Sequence, residues 1–176
     1  MNGRTYPKTI FIIRHAEKPG SPASDSQHDG IHLSTRGYER AAALAPYFPA
    51  TFLKPHALFA AAASKHSDRP VETITPLAQA LKLDIKADIA DADYATLANK
   101  ILSDGKYEGK VLLICWHHGH IPALTQSLGG QPPQDPWPEQ AFDRVWQLDY
   151  PPGGTQASDL PVRKLAQRLL FGDQPD

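Results

Sequence analysis

Apolar and polar positions come in blocks along this chain, and the blocks differ in kind. Thr9-Ile10-Phe11-Ile12-Ile13 and Val111-Leu112-Leu113-Ile114-Cys115 are nearly unbroken apolar runs rich in β-branched residues. Such runs predict strands buried on both faces, as inside a parallel sheet. Both stop abruptly, the first at Arg14-His15 and the second at Trp116-His117-His118-Gly119-His120. Weaker runs at His56–Ala62, Leu83–Ile89 and Phe142–Tyr150 predict three more strands. Between them the spacing becomes helical. Tyr38–Ala45 reads as a helix with Ser34 as its N-cap and with Pro46 and Pro49 ending it. Val71, Ile74, Leu77, Ala78 and Leu81 keep a helical period behind Pro70, which suits a first turn, and Pro76 kinks or restarts that helix. Asp93–Leu102 and Ile121–Leu128 are two further helices, the second with Pro122 in its first turn and Gly129-Gly130 stopping it. Pro161–Phe171 reads as a short closing helix. Pro19–Ile31 and Gln131–Glu139 read as irregular loops. Strands alternating with helices argue an α/β chain, a three-layer α/β/α sandwich with a mostly parallel central sheet, forming one domain over residues 1–176.

Composition narrows the function classes more than the fold. The 18 Lys and Arg against 19 Asp and Glu give a net charge of −1, so no single-sign field invites nucleic acid or an anionic membrane. The apolar runs fall well short of the ~20 residues that cross a bilayer. Residues 1–8 lack the charged-then-apolar layout of a signal peptide. The single cysteine, Cys115, fits a reducing cytoplasm. Proline is the oddity at 17 of 176 residues, about twice the usual share. Much of it sits at element borders, as at Pro70 and Pro122.

The chemistry gathers where strands end. In open α/β sheets ligands bind beyond the carboxyl ends of the strands, and both strong strands end there in histidine. Arg69-Pro70-Val71-Glu72-Thr73 starts a helix after another strand, so Arg69 stands beside main-chain N–H groups suited to an anion.

Four segments in order resemble the histidine phosphatase superfamily, the phosphoglycerate-mutase-like proteins. Ile12-Ile13-Arg14-His15-Ala16-Glu17-Lys18 is similar to its opening motif. Leu33-Ser34-Thr35-Arg36-Gly37-Tyr38-Glu39-Arg40-Ala41 and Arg69-Pro70-Val71-Glu72-Thr73 resemble its next two segments, and Val111–Gly119 the strand that delivers its second histidine. The resemblance covers roughly Lys8 to Leu148 and implies a phosphatase that works through a phosphohistidine on His15, without metal or other cofactor. Arg14 and Arg69 would hold the phosphoryl oxygens and, by like-charge repulsion, keep His15 neutral. The second histidine is His118 or His117, with the Cys-Trp-x-His-x-x-Ile-Pro spacing favouring His118. Glu17, Asp88, Asp91 and Asp93 are the candidates for general acid. His120 is expected to face solvent or cap the following helix. Of His28, His32, His56 and His66, the last is best placed to line a pocket.

The expected partners are a phosphorylated small molecule or a phosphohistidine protein as substrate, and inorganic phosphate. A mutase-like phosphoryl transferase and a non-catalytic phosphate-binding domain are the alternatives on the same fold. A metal hydrolase using His15, His117, His118 and His120 lacks the usual ligand spacing, and adjacent arginines would repel a dication.

Overall fold

Residues 5–20, 30–135, 137–153 and 158–174 are described by the structure, a computed structural model. Most of the loop at 21–29, His28 with it, lies outside them. Six strands form one sheet in the order β3-β2-β4-β1-β6-β8. They are β1 (Thr9–Arg14), β2 (Ala57–Ala61), β3 (Ile85–Ile89), β4 (Val111–Trp116), β6 (Arg144–Asp149) and β8 (Arg163–Ala166). β1, β4, β2 and β3 are mutually parallel, while β6 runs antiparallel to β1 and β8 antiparallel to β6. A separate parallel pair joins β5 (Gly130–Gln131) to β7 (Leu160–Pro161).

The alternation inside β1 and β4 builds the layers. Ile10 and Ile12 share one face with Leu112 and Ile114, and are covered by α3 (Tyr94–Ser103) and α4 (Ile121–Ser127). Phe11 and Ile13 share the other with Leu113 and Cys115, under α1 (Thr35–Thr51) and α2 (Arg69–Leu81). Every residue of both strands is buried, because helices cover both faces. The result is the three-layer α/β/α arrangement with a mostly parallel sheet.

Two elements differ from expectation. α1 does not stop at Pro46 but runs through Pro46 and Pro49 to Thr51. Phe48 is fully buried there, edge-on to Phe11 with ring centroids 5.4 Å apart, and Phe52 packs on both. Burying a phenylalanine is worth about 1.5–3 kcal/mol, comparable to the ~3 kcal/mol cost of an interior proline. Pro46 also sits on the exposed side of the helix. The closing helix expected over Pro161–Phe171 is absent. β7 and β8 stand in its place, and β8 pairs with the edge of β6 from Arg144↔Ala166 to Gln147↔Arg163. Hydrogen-bond groups left open on β6 outweigh the local helical spacing of Val162, Leu165 and Leu169. α2, by contrast, passes through Pro76 unbroken, with Pro70 in its first turn.

Candidate active site

β1 and β4 lie side by side in parallel register, Ile13 opposite Cys115 and Arg14 opposite Trp116. The next residues out are His15 and His117, and the His15 main-chain N–H donates to the Trp116 carbonyl at 3.1 Å. Their rings meet edge to face, centroids 5.1 Å apart. His15 is buried at 2% exposure. Its Nδ1 lies 2.7 Å from the Ala16 carbonyl oxygen, and a carbonyl only accepts, so Nδ1 carries the proton and Nε2 keeps its lone pair. Burial, first, and then His117 and the arginines Arg14 and Arg69 hold the His15 pKa well below that of a free imidazole. Like-charge repulsion thus helps keep His15 neutral, but it is secondary to burial. His117 is also shifted down, by burial and by Arg69 and Arg14, with Asp91 opposing.

Arg14 is 1% exposed. Its Nη1 donates to the carbonyls of Glu139 and Ala141, and its guanidinium lies 3.9 Å from the centre of the Phe142 ring. Its Nε and Nη2 are buried with no hydrogen-bond partner. Burial, with Arg69 adding and Glu139 and Glu17 opposing, lowers its pKa to about 10, which leaves it a cation at neutral pH. Arg69, at the first turn of α2, donates from Nη1 to the carbonyls of Gly30 (2.8 Å) and Ile31 (3.2 Å). Thr73, one turn on, links the two segments. Its hydroxyl donates to the Arg69 carbonyl at 2.7 Å and accepts from the Ala16 N–H at 2.8 Å. The end of β1 and the first turn of α2 are therefore joined by one hydrogen-bond chain.

The other expected site residues fall in different places. His118 is half-buried and shifted down by burial, then by Arg14 and Lys18. Glu17 is buried but turned away into an ion pair, both of its oxygens 3.0 Å from Arg40 Nε and Oε1 also 2.8 Å from Nη2. Its main-chain oxygen accepts from Ser34, whose hydroxyl caps α1 as expected. Asp88 is exposed and paired with Lys100, and Asp93 is exposed. Asp91 approaches the histidines from the turn after β3. Its Oδ2 lies 2.8 Å from His120 Nδ1, and its Oδ1 is buried with no hydrogen-bond partner. His120 stands at the N-cap position of α4, as expected, without a side-chain capping bond, and its side chain is 40% exposed beside Asp91. His66 is exposed. His32 pairs with Glu72 at 2.6 Å, and His56 Nδ1 accepts from the Val111 N–H.

Arg40, inside the second motif, had no expected role. It is buried with Gly37, Ala41, Leu44 and Phe48 on the inner side of α1, and a charged residue on an apolar helix face was the available signal. Beyond Glu17 it holds Asp173 (2.6 and 2.9 Å) and Gln167 (3.0 Å). A cavity of about 540 Å³ opens beside this cluster, lined by Glu17, Arg36, Phe142, Arg144 and Asp173. Neither His15 nor His117 lines it. Among the described residues no group of three His, Cys, Asp or Glu converges as a metal site, and no helix is long and apolar enough to cross a membrane.

No family model and no curated protein matches the sequence. Solved structures do match the shape. A mycobacterial glucosyl-3-phosphoglycerate phosphatase in complex with inorganic phosphate superposes with a TM-score of 0.55 at 15% identity, over 89% of this chain and 95% of that one. The protein histidine phosphatase SixA in complex with tungstate gives 0.53 at 15%, over 90% and 97%. A putative phosphohistidine phosphatase SixA from Agrobacterium tumefaciens gives 0.51 at 17%, over 82% and 92%. This is the fold of the histidine phosphatases. Within the histidine phosphatase fold of this chain, Arg14, His15, Arg69 and His117 lie beyond the carboxyl ends of the parallel strands, the end expected for a ligand.

Proposed function

We propose that this chain is a phosphatase that passes the phosphoryl group through His15. One observation carries the reading. A buried arginine with two unpartnered donors, Arg14 Nε and Nη2, adjoins a buried neutral imidazole whose free nitrogen is Nε2. Buried unpaired donors are costly, and a planar cationic fork is suited to two phosphoryl oxygens. The complexes of same-fold phosphatases with phosphate and tungstate support an oxyanion as the ligand.

In the first step the His15 Nε2 lone pair attacks phosphorus and the bond to the leaving group breaks. Arg14, Arg69 and His117 stabilise the charge that collects on the phosphoryl oxygens. His117 is the second histidine in this proposal because its ring, and not that of His118, meets His15. Asp91 is the proposed acid because it alone of the four candidates combines a buried, unpartnered oxygen with an attractive charge effect on His117. It gives its proton to the departing oxygen. Water then attacks phosphohistidine, the P–N bond breaks, its electrons return to Nε2, phosphate leaves as H2PO4− with both protons of that water, and Asp91 regains its proton from solvent.

The test is hydrolysis of p-nitrophenyl phosphate with rapid alkaline quench and ³¹P detection of phosphohistidine. Wild type shows turnover and the phosphoenzyme, and His15→Ala shows neither. Equal rates in the two proteins would refute the proposal.

A further inference from the structure

The segment that carries His117 also grips Asp91 at both ends. Trp116 Nε1 donates to the Asp91 main-chain oxygen at 3.2 Å, and His120 Nδ1 reaches Asp91 Oδ2 at 2.8 Å. The residues on either side of the His117-His118-Gly119 turn thus hold one aspartate that lies 25 and 29 positions away in sequence. The His120 ring also rests against that of Tyr94, centroids 5.4 Å apart and planes inclined by 31°. Tyr94 opens α3 immediately after the short turn Asp91–Asp93.

A hydrogen bond to Oδ2 has a consequence for Oδ1. In its Nδ1–H tautomer His120 donates to Oδ2, and a proton on this carboxyl then belongs on Oδ1. Oδ1 is the oxygen that is buried and unpartnered.

We propose that His120 is a positioning residue that fixes Asp91 by Oδ2, leaves Oδ1 as the one proton-donating atom toward the leaving group, and so fits the site to phosphomonoesters of aliphatic alcohols. This rests on the phosphatase reading given above. An alkoxide is too basic to depart without a proton, so a poised acid matters most for such esters. A nitrophenolate departs without help. The imidazole of a phosphoramidate departs neutral once its own ring nitrogen is protonated from water. Neither needs a held carboxyl group.

Four probes separate the cases: ethyl phosphate, glycerol 3-phosphate, p-nitrophenyl phosphate and phosphoimidazole. His120→Ala is expected to lower kcat on the two alkyl esters by about ten- to a hundredfold, part of the usual worth of a general acid. KM and the rates on the other two probes should change less than about threefold, since the acid contributes little where the leaving group departs unaided. His120→Asn, whose side-chain N–H stands where Nδ1–H does, should recover most of the lost rate. Asp91→Asn, which removes the acid itself, should lose at least as much on the alkyl esters as His120→Ala does. An equal loss on all probes, no loss on any, or a wild type that turns over p-nitrophenyl phosphate but neither alkyl ester overturns this inference while leaving the phosphatase reading intact. A selective loss in Asp91→Asn without one in His120→Ala overturns the positioning role alone. A wild type inactive on every probe overturns the phosphatase reading itself, and this inference with it. Circular dichroism of each variant separates misfolding from lost catalysis.

Discussion

Two arginines in this fold are almost equally buried, at 1% for Arg14 and 2% for Arg40, and their surroundings are opposite. Every N–H direction of Arg40 meets an acceptor: Glu17, Asp173 or Gln167. Arg14 meets two carbonyls with one nitrogen and keeps Nε and Nη2 bare. Charge state follows the same division. Burial would lower both pKa values, but Asp173 and Glu17 reverse this for Arg40 and raise it, whereas Arg14 is left at about 10. Burial of a charge is therefore not in itself the mark of a site. A buried charge that spends its hydrogen bonds at home builds the frame, and one that withholds them is available to a ligand.

Replacing each arginine should break different properties. Arg40→Ala leaves Glu17 and Asp173 buried with only the longer Arg36 ion-pair contacts at 3.4 and 3.8 Å, and loss of one partner of a buried ion pair costs about 3–5 kcal/mol. The urea unfolding midpoint should fall accordingly, and an unchanged midpoint would erase the contrast. Arg14→Ala should lower kcat/KM on p-nitrophenyl phosphate by about 10²–10³-fold, the usual worth of one preorganised donor to developing charge. Inorganic phosphate at a hundred times its Kd should stabilise wild type by about 2.7 kcal/mol, seen as a higher Tm, and should not shift the variant. A Tm rise of equal size in both would move the phosphate away from Arg14.

The smallest effect sharpens the frame side of the comparison. Burial would raise the Asp173 carboxyl, but hydrogen bonds from Arg40 and from the Leu170 and Leu169 N–H groups outweigh it and bring the pKa to about 2, against an ordinary 3.8. A lowered carboxylate pKa stabilises the fold fully above the ordinary value and loses that contribution as pH falls through the lowered one. The urea midpoint should therefore decline between about pH 4 and pH 2. Asp173→Asn should flatten the decline at the cost of a lower midpoint at pH 6. A variant whose decline matches wild type would assign that acid sensitivity to other carboxylates.

β1 and β4 were legible because burial on both faces leaves an unbroken apolar run, and Arg14 and His15 because the run ends there. Which histidine stands beside His15 was legible in principle from register. Aligning Ile13-Arg14-His15 with Cys115-Trp116-His117 as parallel neighbours sets His15 beside His117. Motif spacing, which favours His118 as the second histidine, counts residues from Trp116 and carries no information about the adjacent strand. The far end of α1 and the strand β8 were not legible, since Phe48 burial and the open edge of β6 are tertiary facts that override proline and helical spacing. Asp91 stood among four candidates, but its grip by Trp116 and His120 spans more than twenty residues and has no local pattern. Nor could sequence separate Glu17 the acid from Glu17 the partner of Arg40, because the deciding group comes from a helix 23 residues away.

The parallel register of β1 and β4 has one more consequence. Neighbouring strands stand ~4.7–4.9 Å apart, and the His15 and His117 ring centres stand at 5.1 Å. The gap between the two imidazoles is thus a spacing inherited from the backbone ladder, as repeatable as the pitch of a ruled grating. Loops around it can lengthen, shorten or change composition without altering that interval. The chemistry proposed for these two rings would thus be inscribed on the hydrogen-bonded ladder of β1 and β4.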